Sequence, residues 1–145
     1  MLSPIEYFAV LFAVCAYAFV AGRTDERVVA SICVGASIAS VAVMSPLTSR
    51  YSGLEAGVFV VDLATFLGFT AVALRSKRFW PLWVAGLQLT TLMSHAFKLG
   101  RIDLMPQAYA AAARFWVYPI FLIIVIGTWR ESRRRAESRR SAAPA

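Results

Sequence analysis

The chain is poor in the side chains from which most metal and acid–base sites are built. Its 145 residues include one histidine, two cysteines and eight acidic residues. A single histidine, His95, excludes a haem held by two histidines of one chain. Cys15 and Cys33 form no CxxC or CxxCH motif, so neither a zinc knuckle nor a covalently attached haem is predicted. We expect both cysteines to behave as small buried residues.

The sequence also lacks the patterns of common catalytic and nucleotide-binding sites. It contains no HExxH, GxSxG, P-loop or GxGxxG motif. One histidine and few carboxylates within the apolar segments leave little for acid–base catalysis. We therefore predict that the protein is not an enzyme, and the sequence indicates no particular cofactor.

Apolar residues, in contrast, are abundant. They make up 59% of the chain, and its mean hydropathy is +0.65. This is more apolar surface than a soluble domain of this length could bury. Apolar segments cover residues 5–21, 28–44, 56–74, 79–97 and 105–129, each close to the ~17–25 residues that cross a bilayer. We predict an all-α protein: a polytopic transmembrane bundle of five helices within residues 1–129, followed by a basic cytoplasmic tail at 130–145.

Two features of this prediction leave alternatives. Arg114 interrupts the last apolar segment, so a four-helix bundle with residues 105–114 at the membrane surface stays open. The first segment resembles a signal peptide in position, but Glu6 stands where a positive residue is expected. We therefore expect that segment to remain in the protein as a helix.

The positive charges predict an orientation. Lys and Arg accumulate on the cytoplasmic side of short membrane loops. With five helices, eleven of the 15 Lys and Arg residues fall in the first loop, the third loop and the tail, which share one side. The positive-inside rule therefore predicts an outer N-terminus and a cytoplasmic C-terminus.

Two charged residues lie within apolar segments. Asp62 is seven residues past Glu55 and Arg114 is nine residues past Met105, so both are expected in the outer half of the bilayer. Because pairing reduces the cost of burying each charge, we predict an ion pair between Asp62 and Arg114. Such a pair either fixes helix packing or forms part of a functional site.

A polar stripe is predicted on the fourth helix. Gln88, Thr91 and His95 have the spacing of residues on one helix face. We expect this stripe to converge with Asp62, Arg114 and Glu6 on a polar cavity open to the outside. The five residues of the predicted ligand-binding site are Asp62, Gln88, Thr91, His95 and Arg114. Packing is the competing interpretation of His95, and no metal site is predicted.

Small residues form a row on the second helix. Ser31, Gly35 and Ala39 repeat every four residues, a pattern that lets two helices approach closely. The sequence does not decide whether this row packs within the chain or against another subunit.

Part of the chain resembles a known group of proteins. The run Phe79-Trp-Pro-Leu-Trp-Val-Ala-Gly-Leu-Gln-Leu, followed by His95 and Lys98 and later by Phe115-Trp-Val-Tyr-Pro, is similar to small uncharacterised inner-membrane proteins of alphaproteobacteria, especially sphingomonad-type bacteria. The resemblance covers roughly the last two helices. It implies a bacterial inner-membrane location and implies no chemistry.

Two functions fit these features. The first is a non-catalytic accessory or assembly subunit of a larger membrane complex, which would have other membrane protein subunits as partners. The second is a small membrane carrier or ligand-binding protein that holds a quinone, pigment or anionic solute. The lipid bilayer is the expected partner in both cases, with anionic lipid at the basic tail and no nucleic acid.

Overall fold

The computed structural model of the protein describes residues 3–43, 56–99 and 115–141. The predicted all-α class is confirmed: the described residues form five helices and no strand. The helices are α1 (Pro4–Ala21), α2 (Thr24–Val43), α3 (Ala56–Arg75), α4 (Trp80–Leu99) and α5 (Val117–Ser141).

The first two helices are joined by only Gly22 and Arg23. Helix α1 begins with a complete capping box, in which Ser3 and Glu6 each accept a backbone N–H of the other. Helix α2 begins at Thr24, four residues before the predicted segment. Its first turn includes Asp25 and Glu26, and acidic residues stabilise the positive end of a helix dipole. The first loop, predicted at residues 22–27 between the first two apolar segments, is therefore mostly helix.

The last helix differs from its predicted bounds at both ends. Residues 105–114, including Arg114, lie outside the described residues, so the choice between five and four spans stays a prediction. At the other end, α5 runs without interruption past Trp129 to Ser141. These twelve further residues extend the helix by about 18 Å, so the described part of the basic tail is a continuation of the bundle's last helix.

The five helices form a closed ring. Each helix packs against the next in chain order, α5 returns to α1, and α2 also contacts α5. The centre is filled by apolar side chains from every helix, among them Leu11, Val29, Phe69, Val84 and Ile124. Cys15 and Cys33 are both buried, as predicted, and are free thiols.

Much of the surface between the helix ends is apolar. Large apolar side chains are exposed on all five helices, including Val20, Val41, Leu67, Trp83 and Leu122. By length and composition, α2 and α3 could each cross a membrane, and Ile5–Ala21 is a shorter apolar helix.

Close contacts between the described helices occur at Gly68 and Gly127, outside the small-residue row of α2. Ser31 and Gly35 are exposed, Ala39 is half-buried, and a Cβ on Gly35 would meet nothing within 4 Å. A Cβ on Gly68 would instead lie 3.2 Å from Ile32, and one on Gly127 would lie 3.3 Å from the Trp80 ring. The small-residue row of α2 therefore faces away from the other described helices.

Candidate functional site

Three polar residues meet between α3 and α4, and we call them the Asp62 site. Oδ2 of Asp62 lies 2.8 Å from Nε2 of His95. The amide nitrogen of Gln88 donates to Oδ1 of Asp62 at 3.1 Å. Gln88 and His95 are seven residues apart and share one face of α4, so both reach the same carboxylate. The structure thus brings together three of the five residues of the predicted ligand-binding site.

The other predicted contributors are placed differently. Thr91 is buried, and its hydroxyl donates to the Leu87 carbonyl of its own helix. Arg114 lies outside the described residues, so its predicted ion pair with Asp62 stays a prediction. Glu6 does not join the site within the described part of the chain, because its carboxylate caps α1.

The Asp62 site is mostly buried, and its carboxylate is the part that is partly exposed. His95 and Gln88 are 4% and 5% exposed, whereas the Asp62 side chain is 18% exposed. The edge of the Phe59 ring faces His95, with 5.8 Å between the ring centroids. This places an acid and a potential base in contact, with the acid accessible from outside the bundle. Such a pair can accept hydrogen bonds from a ligand or donate them to it, and this binding requires no metal.

A second polar cluster lies at the other end of the helices, and we call it the Arg78 network. Arg78, in the turn between α3 and α4, donates from Nη1 to Glu26 at 2.7 Å and from Nη2 to Glu131. Glu131 also forms ion pairs with Arg23, at 3.5 Å, and with Arg135, at 3.2 Å. The network therefore joins the start of α2, the turn between α3 and α4, and the extension of α5.

The two glutamates of this network are almost completely inaccessible. Glu26 is 0% exposed and Glu131 is 3% exposed. Besides Arg78, Glu26 accepts the backbone N–H of Arg23 at 2.9 Å, which caps α2. Beside the network, the Ser76 hydroxyl donates to Asp25 at 2.6 Å. A buried carboxylate needs several hydrogen-bond donors, because a buried charge without a partner is strongly unfavourable.

The pKa values of the two central groups move in the directions that a charged pair requires. Burial alone raises the pKa of Glu131, but the hydrogen bond from Arg78 and the nearby guanidinium groups outweigh it and leave the pKa below its usual value. Burial alone lowers the pKa of Arg78, but Glu131 and Glu26 outweigh it and raise the pKa. Both groups are therefore charged at neutral pH.

The Arg78 network was not predicted from the sequence. The orientation argument considered only the positive residues of these loops, although Asp25, Glu26 and Glu131 lie on the same predicted side. Two spacings were informative: Glu26 follows Arg23 by three residues, and Arg135 follows Glu131 by four. Neither spacing could identify Arg78 as the common partner, because that contact joins distant parts of the chain.

The Asp62 site and the Arg78 network are well separated. Ser76, which adjoins the network, follows Asp62 by fourteen residues along α3 and the turn after it, a helical rise of about 21 Å. They are therefore independent clusters at different levels of the bundle. A group of three or more metal-ligating residues is absent from residues 3–43, 56–99 and 115–141.

Comparisons with known proteins do not assign the chain to a family. No family model, no curated protein and no solved structure matches it. The resemblance to alphaproteobacterial inner-membrane proteins therefore stays a prediction.

Proposed function

We propose that this chain is a multi-pass protein of the bacterial inner membrane with an outer N-terminus and a cytoplasmic C-terminus. The exposed apolar side chains support this placement: Val20, Leu74 and Phe79 are 82%, 81% and 70% exposed, and lipid is the solvent that favours such a surface. The charged Arg78 network lies at the predicted cytoplasmic end, where headgroups and water begin.

Within the membrane, we propose a ligand-binding rather than a catalytic role, and the Asp62–His95–Gln88 contact is the observation that carries it. Ionisable residues inside a membrane are costly and commonly mark ligand or proton pathways. Asp62 is the one Asp, Glu, Lys or Arg residue of the apolar segment 56–74, and His95 is the one histidine of the chain. Their side chains come from two different helices, α3 and α4, and meet between them.

The donors and acceptors of this site favour a neutral ligand. An anionic solute is best held by a cationic partner, but within the described residues Asp62 contacts one imidazole and one amide and forms no ion pair with Lys or Arg. A quinone accepts hydrogen bonds at its carbonyl oxygens, and the corresponding quinol donates them, so both forms match an imidazole–carboxylate pair. A quinone carrier or binding protein is therefore the form of this function that we propose.

The test is the quinone content of the purified protein. We expect protein extracted from bacterial membranes in mild detergent to release quinone into organic solvent in near-stoichiometric amount, measured by chromatography with absorbance detection. His95→Ala and Asp62→Asn should lose most of it, since each removes one half of the pair. Thr90→Ala, on the same helix and outside the Asp62 site, is the matched control and should retain it.

Three results would contradict this assignment. Wild-type protein without quinone or pigment would remove its basis. Equal quinone in wild-type protein and both site variants would place the quinone in the surrounding lipid. Equal loss in Thr90→Ala would show a general effect of altering α4.

An accessory subunit is the second candidate, and one observation favours it. Ser31 and Gly35 are exposed, and a Cβ on Gly35 would meet nothing within 4 Å. An outward small-residue surface permits the close approach of a helix from another subunit. This role does not exclude ligand binding.

We expect native mass spectrometry after mild extraction to detect a complex heavier than one chain. Gly35→Leu should dissociate it, because the leucine side chain would occupy the contact surface. Gly86→Leu is the control, since Gly86 is also exposed with nothing within 4 Å of its Cβ position but lies outside the small-residue row. A wild-type protein that is monomeric throughout would contradict this role.

A further inference from the structure

Nine positive residues at and around the Arg78 network, at the predicted cytoplasmic end, fall into two groups. Arg23, Arg78 and Arg135 are paired with Glu26 and Glu131 in the Arg78 network. A second group surrounds it: these side chains are exposed and have no ion pair within the part of the chain that the structure describes. The second group, which we call the collar, consists of Arg27, Arg75, Lys77, Arg130, Arg133 and Arg134.

The collar is held at one level by the network inside it. Arg27 follows Glu26 directly, Lys77 precedes Arg78 directly, and Arg130 precedes Glu131 directly. Because the network residues contact one another, their immediate neighbours in three separate elements lie around the same end of the bundle. The two glutamates of the network are engaged by its arginines, and the eleven Lys and Arg residues of this end outnumber its four acidic residues, Asp25, Glu26, Glu131 and Glu137. The collar therefore has a local surplus of positive charge.

Apolar and aromatic side chains lie next to the collar. Leu74 adjoins Arg75 and is 81% exposed, and Trp129 adjoins Arg130 and is 48% exposed. The guanidinium of Arg133 lies over the Trp129 ring, 4.8 Å from its centroid. Tryptophan with an adjacent cation is typical of the boundary between acyl chains and headgroups.

We propose that the collar binds the headgroups of anionic phospholipids in the inner leaflet. This inference rests on the proposed membrane placement. The surplus positive charge complements the phosphates and the net negative charge of that leaflet, and the exposed apolar side chains beside it contact the acyl chains of the same lipids. The site is distributed over α2, the end of α3 and α5, so it is wider than the basic tail alone.

The continuous α5 helix provides an internal comparison. Arg139 and Arg140 lie eight and nine residues past Glu131 on the same helix, about 12–14 Å beyond the network. The Debye length at physiological salt is about 8 Å. These two arginines therefore lie too far from the headgroups to contribute much, although they carry the same charge as the collar residues.

The experiment measures lipid selectivity by tryptophan quenching. The full chain is reconstituted in phosphatidylcholine vesicles that contain a small fraction of lipid with brominated acyl chains and either a phosphatidylglycerol or a phosphatidylcholine headgroup. Three of the four tryptophans, Trp80, Trp83 and Trp129, lie near the predicted cytoplasmic end. We expect brominated phosphatidylglycerol to quench more strongly, with a relative binding constant of about 5 or more, and 1 M NaCl to reduce this preference.

Two double variants with equal charge change separate the collar from the rest of the tail. Arg130→Gln with Arg133→Gln should lower the preference severalfold, whereas Arg139→Gln with Arg140→Gln should leave it nearly unchanged. Equal quenching by the two brominated lipids in the wild-type protein would overturn the proposal. So would equal losses in the two double variants. Failure of either lipid to quench would instead overturn the membrane placement itself.

Discussion

Arg78→Ala is expected to lower the free energy of unfolding by about 3–5 kcal/mol, the loss typical of removing one partner from a buried ion pair. Arg78 is the donor shared by Glu26 and Glu131. Without it, two nearly inaccessible carboxylates lie beside each other with weaker compensation. Unfolding by SDS in mixed detergent micelles, followed by circular dichroism, measures the loss.

Arg75→Ala is the matched control for this variant. Arg75 lies three residues earlier, carries the same charge and is exposed without an ion pair in the described regions. Its replacement should change the free energy of unfolding by about 0.5 kcal/mol or less. Equal effects of the two substitutions would mean that net charge, and not the network, determines stability.

Removing the charges of Glu26 and Glu131 is a second test of whether Arg78 stabilises the protein by pairing with them. In Arg78→Ala, further substitution of Glu26→Gln and Glu131→Gln removes the charges that lost their partner. We expect the triple variant to recover about half or more of the lost stability, because neutral amides are less costly to bury than unpaired carboxylates. A triple variant less stable than Arg78→Ala would contradict this explanation.

Gly22→Ala is expected to destabilise the protein by about 1–3 kcal/mol, the range for overpacking a tight site. A Cβ at this position would clash with the Ala18 carbonyl oxygen and would lie 2.6 Å from Cβ of Glu26. Either α1 must loosen its last turn or α2 must move away, and the second change pulls Glu26 from Arg78. The SDS unfolding assay measures this loss as well.

The same substitution at Gly35 is expected to have the opposite effect on the stability of the protein. The Cβ at position 35 has open space around it, and alanine favours an exposed helix interior over glycine by up to about 1 kcal/mol. We therefore expect unchanged or increased stability. Destabilisation of both variants to the same degree would show that the close contact at Gly22 is not the cause.

The positions of the helices were largely accessible from the sequence because apolar segment length is a local property. The predicted segments 56–74 and 79–97 differ from α3 and α4 by no more than two residues at either end. The start of α2 was misplaced because charge was taken as evidence of a loop, whereas Asp25 and Glu26 favour the first turn of a helix. The helical extension to Ser141 was underestimated for the same reason.

The Asp62 site was accessible only in part. The seven-residue spacing of Gln88 and His95 placed them on one face, since helical periodicity depends on sequence alone. Their contact with Asp62 depends on how α3 and α4 are rotated against each other, and no local pattern encodes that rotation. The same limit applies to glycine: Gly35 and Gly127 look alike in sequence, yet only Gly127 packs against an aromatic ring.

The two polar clusters suggest a division of roles along the bundle. The Arg78 network ties three elements together at the predicted cytoplasmic end and so resists separation of the helices there. The Asp62 site joins only α3 and α4, and its carboxylate is accessible. This separation of about 21 Å along α3 is consistent with our proposal that the Asp62 site binds a ligand in the outer half of the bilayer.

A reporter joined to Ala145 tests the central claim of membrane placement and orientation most directly. A fluorescent protein that matures only in the cytoplasm should give a signal that remains with the membranes after alkaline washing, and alkaline phosphatase at the same position should be inactive. Fluorescence released into the soluble fraction without detergent would contradict the membrane placement. Active alkaline phosphatase would contradict the orientation.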